Sequence, residues 1–470
     1  MKTSTVSRCP TGIPEFDKLL EGGLPRGSVV ILAGAPGTGK TIFSAKFIYE
    51  GAVRYDEPGV FLNFLETKKE FFRFMKALGM DFEALENRGL FKYIEGLQAA
   101  TKEGISEAIK ALLKSILQLN AKRVVIDSVS AFTQVIAKQS IREVLKNMVI
   151  DGLKRFGTTS ILTLEVGRAA ELSDEIVETI EGFLADGLIV LSMTTEKDHI
   201  IRKLRIKKMR GSSIPYSSMP FEIVAGDVIR IYPPIRLEEI PPPSKEIVYK
   251  FDNELIDKAF GGGIRKGAQV AVISQVPKSG YHIAICTTRS LALKYGGRLV
   301  IRSYVQSPPT LKMLEESCDC VKGVQLIKGQ RRKYEVFYLS VNPTSKPLYL
   351  IAVENRALDI KLKEEFLVTG PLDIVYFNCP EFFKEHANNV WHRKRLGITA
   401  FYVFHYQTLE KHPQLFDIYD YIVVLKHKFE AGRPCIEITI VNALSFTPPT
   451  FLLLCYDIIK QEFTLKLKEE

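Results

Sequence analysis

Residues 28–41 have the sequence SVVILAGAPGTGKT, and this stretch decides the fold of the first half of the chain. The segment SVVILAG (28–34) is apolar and β-branched, which predicts a buried strand. A helix-like segment, TIFSAKFIYEGA, begins at Thr41. Between them, residues 34–41 match the spacing G-x-x-x-x-G-K-[ST] of a P-loop, and a strand before and a helix after are the context that this motif requires.

The predicted P-loop has the chemistry needed to hold ATP. Glycines allow backbone N–H groups to close around phosphate oxygens, and the N-terminus of the following helix adds a positive partial charge. Lys40 is predicted to reach the β- and γ-phosphates, and the Thr41 hydroxyl is predicted to bind Mg²⁺. The predicted ATP-binding residues are Gly34, Ala35, Pro36, Gly37, Thr38, Gly39, Lys40 and Thr41.

A second Mg²⁺ ligand is predicted at Asp127. This residue follows the apolar run Val124-Val125-Ile126, which has the composition of a buried strand. Ligand sites in open α/β sheets lie at the carboxyl ends of the strands, where the P-loop also begins. Asp127 is therefore placed to bind the metal together with Thr41.

The overall composition is that of a globular protein. The chain has 470 residues, of which 46% are hydrophobic and 25% are charged. The length suggests two or three domains, and the composition excludes global disorder. No apolar run approaches the roughly 18–20 residues of a membrane-spanning helix, and the N-terminus has no apolar signal segment. We therefore expect no membrane span and a cytoplasmic location.

The cysteines and histidines form no recognisable pattern in the sequence. The seven cysteines are scattered without a C-x-x-C pair, and the closest spacing is Cys318-Asp-Cys320. This argues against a disulfide framework and against a structural zinc site, and it favours a reducing compartment. The seven histidines are too dispersed to predict a metal site.

A proline-rich stretch divides the chain near its middle. Residues 232–245, YPPIRLEEIPPPSK, contain five prolines in fourteen residues, which excludes a helix interior or a central strand. We predict a first domain over residues 1–235, a linker over 236–248 and a second domain over 249–470.

The two halves resemble each other in sequence. FDKLLEGGLPRGSVVILAG (16–34) aligns with IDKAFGGGIRKGAQVAVIS (256–274) at an offset of 240, with six identical residues. FLADGLIVL (183–191) likewise resembles IYDYIVVLK (418–426). Apolar strand-like segments alternate with helix-like ones, which predicts a mainly parallel sheet covered by helices on both faces. We therefore predict a duplicated α/β domain.

Several segments of the first half together resemble the KaiC-like branch of the RecA/RadA ATPases. They are TGIPEFDKLLEGGLPRGSVVILAGAPGTGKT (11–41), RVVIDSVSAF (123–132), LADGLIVL (184–191) and KKMRGSS (207–213). The resemblance is strong over most of residues 7–235 and weak over 250–450. It implies two tandem RecA-like domains, binding of ATP and Mg²⁺, and assembly of identical subunits into a ring, often a hexamer, with the ATP site between neighbours.

The resemblance also assigns a role to Lys208 and Arg210. In KaiC-like proteins the lysine and arginine of a K-x-R-G motif reach the phosphates of the neighbouring subunit. Here six cations occur within residues 202–210, and strand alternation places Lys208 and Arg210 on the same face. A cationic finger acting in trans is the preferred interpretation, and a solvated basic strand is the alternative.

The sequence departs from the family after the second strand. Relatives carry two adjacent glutamates there, but this chain has Phe64-Leu65-Glu66. Glu66 is the candidate for orienting the attacking water, which would give a slow ATPase. The alternatives are a structural Glu66 and a nucleotide switch that does not hydrolyse ATP.

The second half departs much further. At the offset of 240, Gly280 takes the position of Lys40, within Ser274-Gln-Val-Pro-Lys-Ser-Gly-Tyr-His282. The strand matching Asp127 is predicted to be DIVYFNCP (373–380), with Asn378 and Cys379 in place of Asp127 and Ser128. The finger region becomes ITIVNALSF (438–446), without a basic residue. We therefore predict a degenerate second domain, with hydrolysis confined to the first.

Three functions remain open at this point. The preferred one is an oligomeric ATP-dependent switch or regulator that acts on an unknown protein partner. The net charge of +10 and the RecA-like ancestry keep an ATP-gated DNA-binding protein as an alternative. The third is the non-hydrolysing nucleotide switch or scaffold that Leu65 suggests.

Overall fold

The computed structural model describes residues 6–96, 101–131, 151–167, 185–233, 237–320, 332–343, 347–376, 382–445 and 448–468, except residues 197, 216, 225, 227, 458 and 461. The chain divides into two compact units, Met1–Pro234 and Ile235–Glu470. The boundary lies within the proline-rich stretch 232–245. Within these described ranges, no helix is both long and apolar enough to cross a membrane.

The first unit alternates strands and helices along the chain. Its described strands are β1 (Arg8–Cys9), β2 (Leu24–Pro25), β3 (Val29–Gly34), β4 (Gly59–Asn63), β5 (Phe91–Glu95), β6 (Arg123–Asp127), β7 (Thr159–Glu165), β8 (Gly187–Glu196), β9 (His199–Met209), β10 (Ser218–Val224) and β11 (Val228–Ile231). Its described helices are α1 (Pro14–Leu19), α2 (Lys40–Tyr55), α3 (Lys68–Ala77), α4 (Phe82–Asn87), α5 (Lys102–Leu119) and α6 (Asp151–Arg155).

Nine of these strands form one sheet in the order β11-β10-β9-β8-β3-β7-β6-β4-β5. The strands from β8 to β5 are parallel, and β9, β10 and β11 extend the sheet as antiparallel strands. β3 is central and every one of its residues is buried. Val30 and Leu32 pack in the core formed with α2, α3 and α4, while Val29 and Ile31 pack in the core formed with α5. Burial on both faces explains why the strand is continuously apolar.

The second unit has the same alternation. Its described strands are β12 (Val248–Tyr249), β13 (Ile264–Arg265), β14 (Gln269–Ser274), β15 (Gly297–Ser303), β16 (Tyr334–Ser340), β17 (Phe366–Gly370), β18 (Thr399–His405), β19 (Tyr421–Glu430), β20 (Arg433–Asn442), β21 (Thr450–Asp457) and β22 (Glu462–Leu467). Its described helices are α7 (Glu254–Ala259), α8 (Pro277–Tyr295), α9 (Pro308–Glu316), α10 (Leu348–Leu362), α11 (Asp373–Tyr376), α12 (Phe382–Leu396) and α13 (Tyr406–Lys411), with 3-10 helices at Leu237–Glu239, Ser317–Cys320 and Pro413–Ile418.

The second sheet has the order β16-β15-β17-β18-β14-β19-β20-β21-β22. Its strands from β16 to β19 are parallel and β20, β21 and β22 are antiparallel. Strand for strand, this is the order of the first sheet. The predicted fold class, two tandem RecA-like α/β domains with mainly parallel sheets flanked by helices, is confirmed.

The two units also share individual hydrogen bonds. The Asp186 carboxylate accepts a bond from the Val29 N–H at 3.0 Å, and the Asp420 carboxylate accepts one from the Gln269 N–H at 2.8 Å. A lysine contacts each of these carboxylates, at 3.0 Å in the first unit and 2.9 Å in the second. The carboxylate just before β8 in the first unit and the one just before β19 in the second unit therefore make the same contacts with the central strand and with a lysine. This supports the duplication.

One strand assignment in the second half was wrong. Residues 373–376 form the short helix α11, and the counterpart of β6 is β17, which ends at Gly370. β6 and β17 are both five residues long. β6 pairs in parallel with β4 up to Asp127, and β17 pairs in parallel with β15 up to Gly370, so Gly370 takes the position of Asp127. The aspartate and proline flanking this segment favour a turn over a strand. Asn378 and Cys379 lie outside the described residues.

The expectation of no disulfides was also wrong. Disulfides join Cys286 to Cys318 and Cys435 to Cys455, with Cα atoms 5.2 and 4.1 Å apart. Their sequence separations are 32 and 20 residues, so spacing alone does not reveal the partners. Cys435 and Cys455 face each other across neighbouring antiparallel strands, whereas Cys286 lies on α8 and Cys318 on the following 3-10 helix.

Candidate functional site

The predicted P-loop connects β3 to α2, as the sequence requires. Residues 35–39 leave the strand at Gly34 and enter the helix at Lys40. Gly37 and Gly39 adopt φ values of 82° and 105°, a region that residues with a Cβ rarely occupy. A Cβ on Gly34 would collide with the Leu191 carbonyl oxygen. The glycines of the motif are thus required by the backbone path, independently of any ligand.

Lys40 lies inside this loop. Its side chain is buried, and its Nζ donates hydrogen bonds to the carbonyl oxygens of Gly34 at 2.9 Å and Ala35 at 3.1 Å. The Thr38 hydroxyl donates to the same Ala35 carbonyl at 2.8 Å. The loop therefore places a cation beside the backbone N–H groups at the start of α2, a combination that attracts anions.

Asp127 faces the start of α2 from the end of β6. The Thr41 hydroxyl donates to Asp127 Oδ2 at 2.6 Å, and the Thr163 hydroxyl donates to Oδ1. Burial raises the pKa of the Asp127 carboxyl above its ordinary value, although the two hydroxyls and the Lys40 charge act in the opposite direction. The structure thus brings Lys40, Thr41 and Asp127 together, as predicted from the strand ends.

Thr163 was missed by the sequence analysis. It lies in β7 and is fully buried, and its hydroxyl binds Asp127 directly. The available signal was a polar residue between the apolar residues Leu162 and Leu164, two residues before Glu165. Buried hydroxyls of this kind need a partner, and Asp127 on the adjacent strand provides one.

The donor set fits a magnesium ion. Mg²⁺ prefers hard oxygen ligands and is commonly bound in proteins by one or two carboxylates together with substrate phosphates. Thr41 and Asp127 offer a hydroxyl and a carboxylate within 2.6 Å of each other at the edge of the loop. A buried carboxylate is also better matched to a cation than to water.

Glu66 and Leu65 point in different directions. The Asn63 side chain accepts hydrogen bonds from both of their N–H groups, at 3.2 and 2.8 Å, and so fixes the turn after β4. The Leu65 side chain is 58% exposed, whereas Glu66 is half-buried and its Oε2 is buried without a hydrogen-bond partner. Burial and the negative charge of Asp127 raise the pKa of Glu66. Of the two residues, Glu66 therefore carries its carboxylate on the side of Asp127, and Leu65 faces solvent.

Lys208 and Arg210 lie at the opposite edge of the sheet from the P-loop. Met209 pairs with Gly187, and Gly187 pairs with Val30 at the beginning of β3. The P-loop leaves the other end of β3, four residues or about 13 Å away. Arg210 is 62% exposed on its side chain and lies 3.4 Å from Asp186. Within one chain, the two cations are thus not assembled with Lys40 and Asp127.

At the equivalent position of the second unit, residues 274–282, all of which the structure describes, there is no comparable loop. At the same offset of 240, Gly37 and Gly39 become Pro277 and Ser279, and α8 already begins at Pro277. Two residues, 275 and 276, connect β14 to this helix, against five in the first unit. Tyr281 takes the Thr41 position and is fully buried, with its hydroxyl donating to the Arg302 carbonyl at 2.8 Å.

Comparison with known proteins identifies the first unit. A family model described as "ATPase: KaiC" matches residues 9–236. The chain is also 36% identical over 251 residues to a UPF0273 protein of Aeropyrum pernix, covering 48% of this chain and 94% of that protein.

Two longer relatives are named circadian clock oscillator protein KaiC. The one from Parathermosynechococcus lividus is 32% identical over 263 residues, or 54% of this chain and 48% of that protein. The one from Thermostichus vulcanus is 27% identical over 408 residues, or 85% of this chain and 75% of that protein. The chain spans about half the length of the first KaiC relatives that it matches.

Proposed function

Since this chain belongs to the KaiC family of RecA-like ATPases, we propose that its first unit binds ATP and Mg²⁺ and hydrolyses ATP slowly as part of an assembly of identical subunits. Nucleotide-dependent changes in that assembly act on a protein partner. The second unit serves as a scaffold or docking surface. The protein is thus a molecular switch or regulator.

One observation carries this proposal. The buried Lys40 amine and the Thr41–Asp127 pair lie at the same edge of the first sheet, around a loop whose glycines have the required φ values. This supplies positive charge, backbone N–H groups and hard oxygen ligands within one site. A structural role alone does not explain why a lysine and a carboxylate are both buried there.

Each residue of the site has a distinct part in the reaction. Lys40 moves from the loop carbonyls to the β- and γ-phosphates and stabilises negative charge as it develops. Thr41 and Asp127 would hold Mg²⁺, which would neutralise part of the negative charge of the phosphates. Glu66 orients the attacking water, because its carboxylate is half-buried on the Asp127 side and has a raised pKa.

The remaining cations are supplied by a neighbouring subunit. Lys208 and Arg210 lie at the far edge of the sheet from their own P-loop, so they are available to the site of another copy. Burial lowers the pKa of Lys208, as does the charge of Arg210. A partner phosphate would relieve this repulsion, and such a contact is worth most in a transition state with spread negative charge.

The decisive experiment measures phosphate release from ATP and Mg²⁺ at protein concentrations that allow assembly. Wild type, Lys40→Ala and Lys278→Ala are compared, and Lys278 is a matched control because it is the lysine at the start of α8, in the stretch of the second unit that corresponds to the P-loop. Turnover in wild type and Lys278→Ala, with none in Lys40→Ala, is expected.

A second function is distinguished by the same assay. The exposed Leu65 stands where relatives carry a glutamate, which favours a switch that binds ATP without turnover. ATP binding by wild type, abolished by Lys40→Ala and unaccompanied by phosphate release, would establish that switch. If wild type does not bind ATP, both functions are wrong.

A further inference from the structure

A histidine and two cysteines meet on one side of the second unit. His282 and Cys286 lie four residues apart on α8, and therefore on the same face of the helix. Cys318 approaches from the 3-10 helix Ser317–Cys320. The potential ligand atoms of these three side chains all lie within 4.8 Å of one another. None of these residues takes part in the proposed ATP site.

We propose that the reduced form of this cluster is a zinc-binding site, with His282, Cys286 and Cys318 as ligands and water in the fourth position. Two thiolates and one imidazole are a known donor set for Zn²⁺. Bond lengths of about 2.3 Å to sulfur and 2.0 Å to nitrogen, at tetrahedral angles, place the donor atoms roughly 3.5–3.8 Å apart. The span of the cluster accommodates this separation.

The disulfide and the metal are alternative states of the same two cysteines. Opening the Cys286–Cys318 bond takes two electrons and two protons and yields two thiols. A phosphine supplies the electrons and becomes a phosphine oxide, with water supplying the oxygen and the protons, whereas a dithiol supplies both electrons and protons and becomes a disulfide. The cation then displaces the two thiol protons, because thiolates are the metal ligands. Cα atoms 5.2 Å apart allow both states with only side-chain rotation.

The histidine is positioned as metal ligands usually are. Ser317 Oγ lies 2.9 Å from His282 Nε2, and the Ser317 hydroxyl also lies 2.8 Å from the Leu314 carbonyl. Partners of this kind fix the orientation of a ligating imidazole.

The other cysteine pair does not offer an equivalent site. Cys435 and Cys455 are both buried, and among the described residues the potential metal ligand that groups with them is the exposed Glu430 carboxylate. Glu430 already lies 3.9 Å from Lys466. His282, Cys286 and Cys318, in contrast, are each half-buried, so an ion can enter without unfolding the sheet.

The proposed metal site lies on the helix that corresponds to the one after the P-loop. α8 occupies the position of α2, the helix whose start forms the ATP site in the first unit. A cation bound by His282, Cys286 and Cys318 links the first half of α8 to the segment after α9. The second unit would thus bind a metal beside the helix that no longer holds a nucleotide.

The test uses the full chain reduced with a phosphine, incubated with Zn²⁺ and separated from free metal by gel filtration. We expect about one zinc per chain in reduced wild type, little in the oxidised protein, and loss in His282→Ala and in Cys286→Ser/Cys318→Ser. Two controls should keep the metal: Cys435→Ser/Cys455→Ser, and His427→Ala, which removes an exposed histidine of the same unit.

Spectroscopy separates loss of the site from loss of the fold. Co²⁺ in place of Zn²⁺ should give the intense thiolate charge-transfer absorption of a tetrahedral site in wild type, and His282→Ala should lack it. His282→Ala keeps both cysteines, so its ability to reform the Cys286–Cys318 disulfide on oxidation checks that the cluster is still folded. Reduced wild type without zinc, or a His282→Ala variant that binds zinc like wild type, would overturn the proposal.

Discussion

The two units contain the same sheet, but the same stretch of chain forms a phosphate loop in one and a helix in the other. Residues 35–39 make an open loop before α2, whereas their counterparts at 275–279 are mostly wound into α8. No residues have been lost between the two. The difference lies in Pro277 and Ser279, which replace Gly37 and Gly39. Proline is favoured in the first turn of a helix, and serine avoids the left-handed conformation that glycine allows.

The fold and the phosphate site depend on different residues. Carboxylates that tie down the central strand are retained in both units, as at Asp186 and Asp420. At the ligand edge, Asp127 is matched by Gly370 and Thr41 by Tyr281. The retained residues are those that satisfy buried backbone groups, and the altered residues are those that would contact a ligand.

The largest effect is expected from separating the two halves of the first unit's site. Lys40→Ala and Lys208→Ala/Arg210→Ala should each be inactive, since a trans-acting arginine is worth about 10³–10⁵ in rate. When the two variants are assembled together in equal amounts, about one quarter of the interfaces combine an intact loop with an intact finger. Phosphate release by the mixture should therefore recover to about one quarter of the wild-type value.

The matched control for this mixing experiment is Lys203→Ala/Arg205→Ala, which removes two cations from the same strand. It should be active alone, because neither residue belongs to the proposed finger. A mixture no more active than its components would show that the site is not shared between subunits.

The next effect concerns Glu66. Glu66→Gln should lower turnover by about 10²–10⁴-fold, the usual contribution of a positioned acid or base, and should leave ATP affinity unchanged. Leu65→Ala is the control, since its side chain is 58% exposed, and it should turn over ATP like wild type. Equal loss in both variants would mean that the turn, and not the carboxylate, matters.

The pH dependence of turnover gives a second check on Glu66. Burial and Asp127 raise the pKa of this carboxyl, so it gains a proton at a higher pH than the ordinary value of about 4.3. Only the deprotonated form can accept a proton from water. Turnover of wild type should fall as the pH decreases through the raised pKa. The residual turnover of Glu66→Gln should not show this decrease.

A smaller effect is expected on the stability of the second unit. Glu364 is buried beside the fully buried Asp359, which Arg302 and Arg393 bind at 3.0 and 2.9 Å. Burial and the charge of Asp359 raise the pKa of Glu364 to about 8. The protonated Glu364 side chain is favoured in the folded state. Its contribution to the free energy of unfolding is therefore complete below the unfolded pKa of about 4.3 and is lost as the pH rises through about 8.

Glu364→Gln should therefore be more stable than wild type at pH 9 by about 1–3 kcal/mol, with little difference at low pH. Denaturation followed by fluorescence reports on this unit, because the chain's single tryptophan, Trp391, lies in α12. Glu316→Gln, which alters an exposed residue of the same unit, should change stability by less than about 0.5 kcal/mol. If wild type is as stable at pH 9 as at pH 6, the buried carboxyl does not titrate in this way.

The smallest effect is expected from returning one glycine to the second unit. Ser279→Gly should cost about 0.5–1 kcal/mol, because glycine is a poor helix former, and should create no ATP binding. Ser279→Ala, which keeps the helix propensity, should cost less in the same fluorescence assay. A stabilised Ser279→Gly variant would mean that α8 does not depend on this residue.

The sequence predicted most of the fold because the strands are buried on both faces and separated by amphipathic helices. β3, β4, β6 and β7 lie where their apolar segments indicated, and α5 covers the predicted amphipathic stretch. The failure at residues 373–376 occurred where a short apolar run is flanked by turn residues. Runs of this length suit a strand or a helix equally well.

The site was predicted in part, for a physical reason. Lys40, Thr41 and Asp127 lie at strand and helix ends, so the topology alone brings them together. Thr163 and the inward direction of Glu66 depend on side-chain contacts with Asp127 and Asn63, which no spacing rule specifies. The cluster of His282, Cys286 and Cys318 depends on how α8 packs against a 3-10 helix, with the two cysteines 32 positions apart in the sequence. The scattered positions of the cysteines and histidines in the sequence did not indicate this cluster.

The start of α8 also explains why divergence after the duplication is hard to undo. Pro277, Ser279, Gly280 and Tyr281 would all have to change before phosphate could be bound again. A single change to glycine weakens the helix, and a Cβ on Gly280 would lie 2.6 Å from the Cβ of Ser274. At Ser279 and at Gly280, a single change towards the P-loop sequence therefore costs stability before any phosphate can be bound.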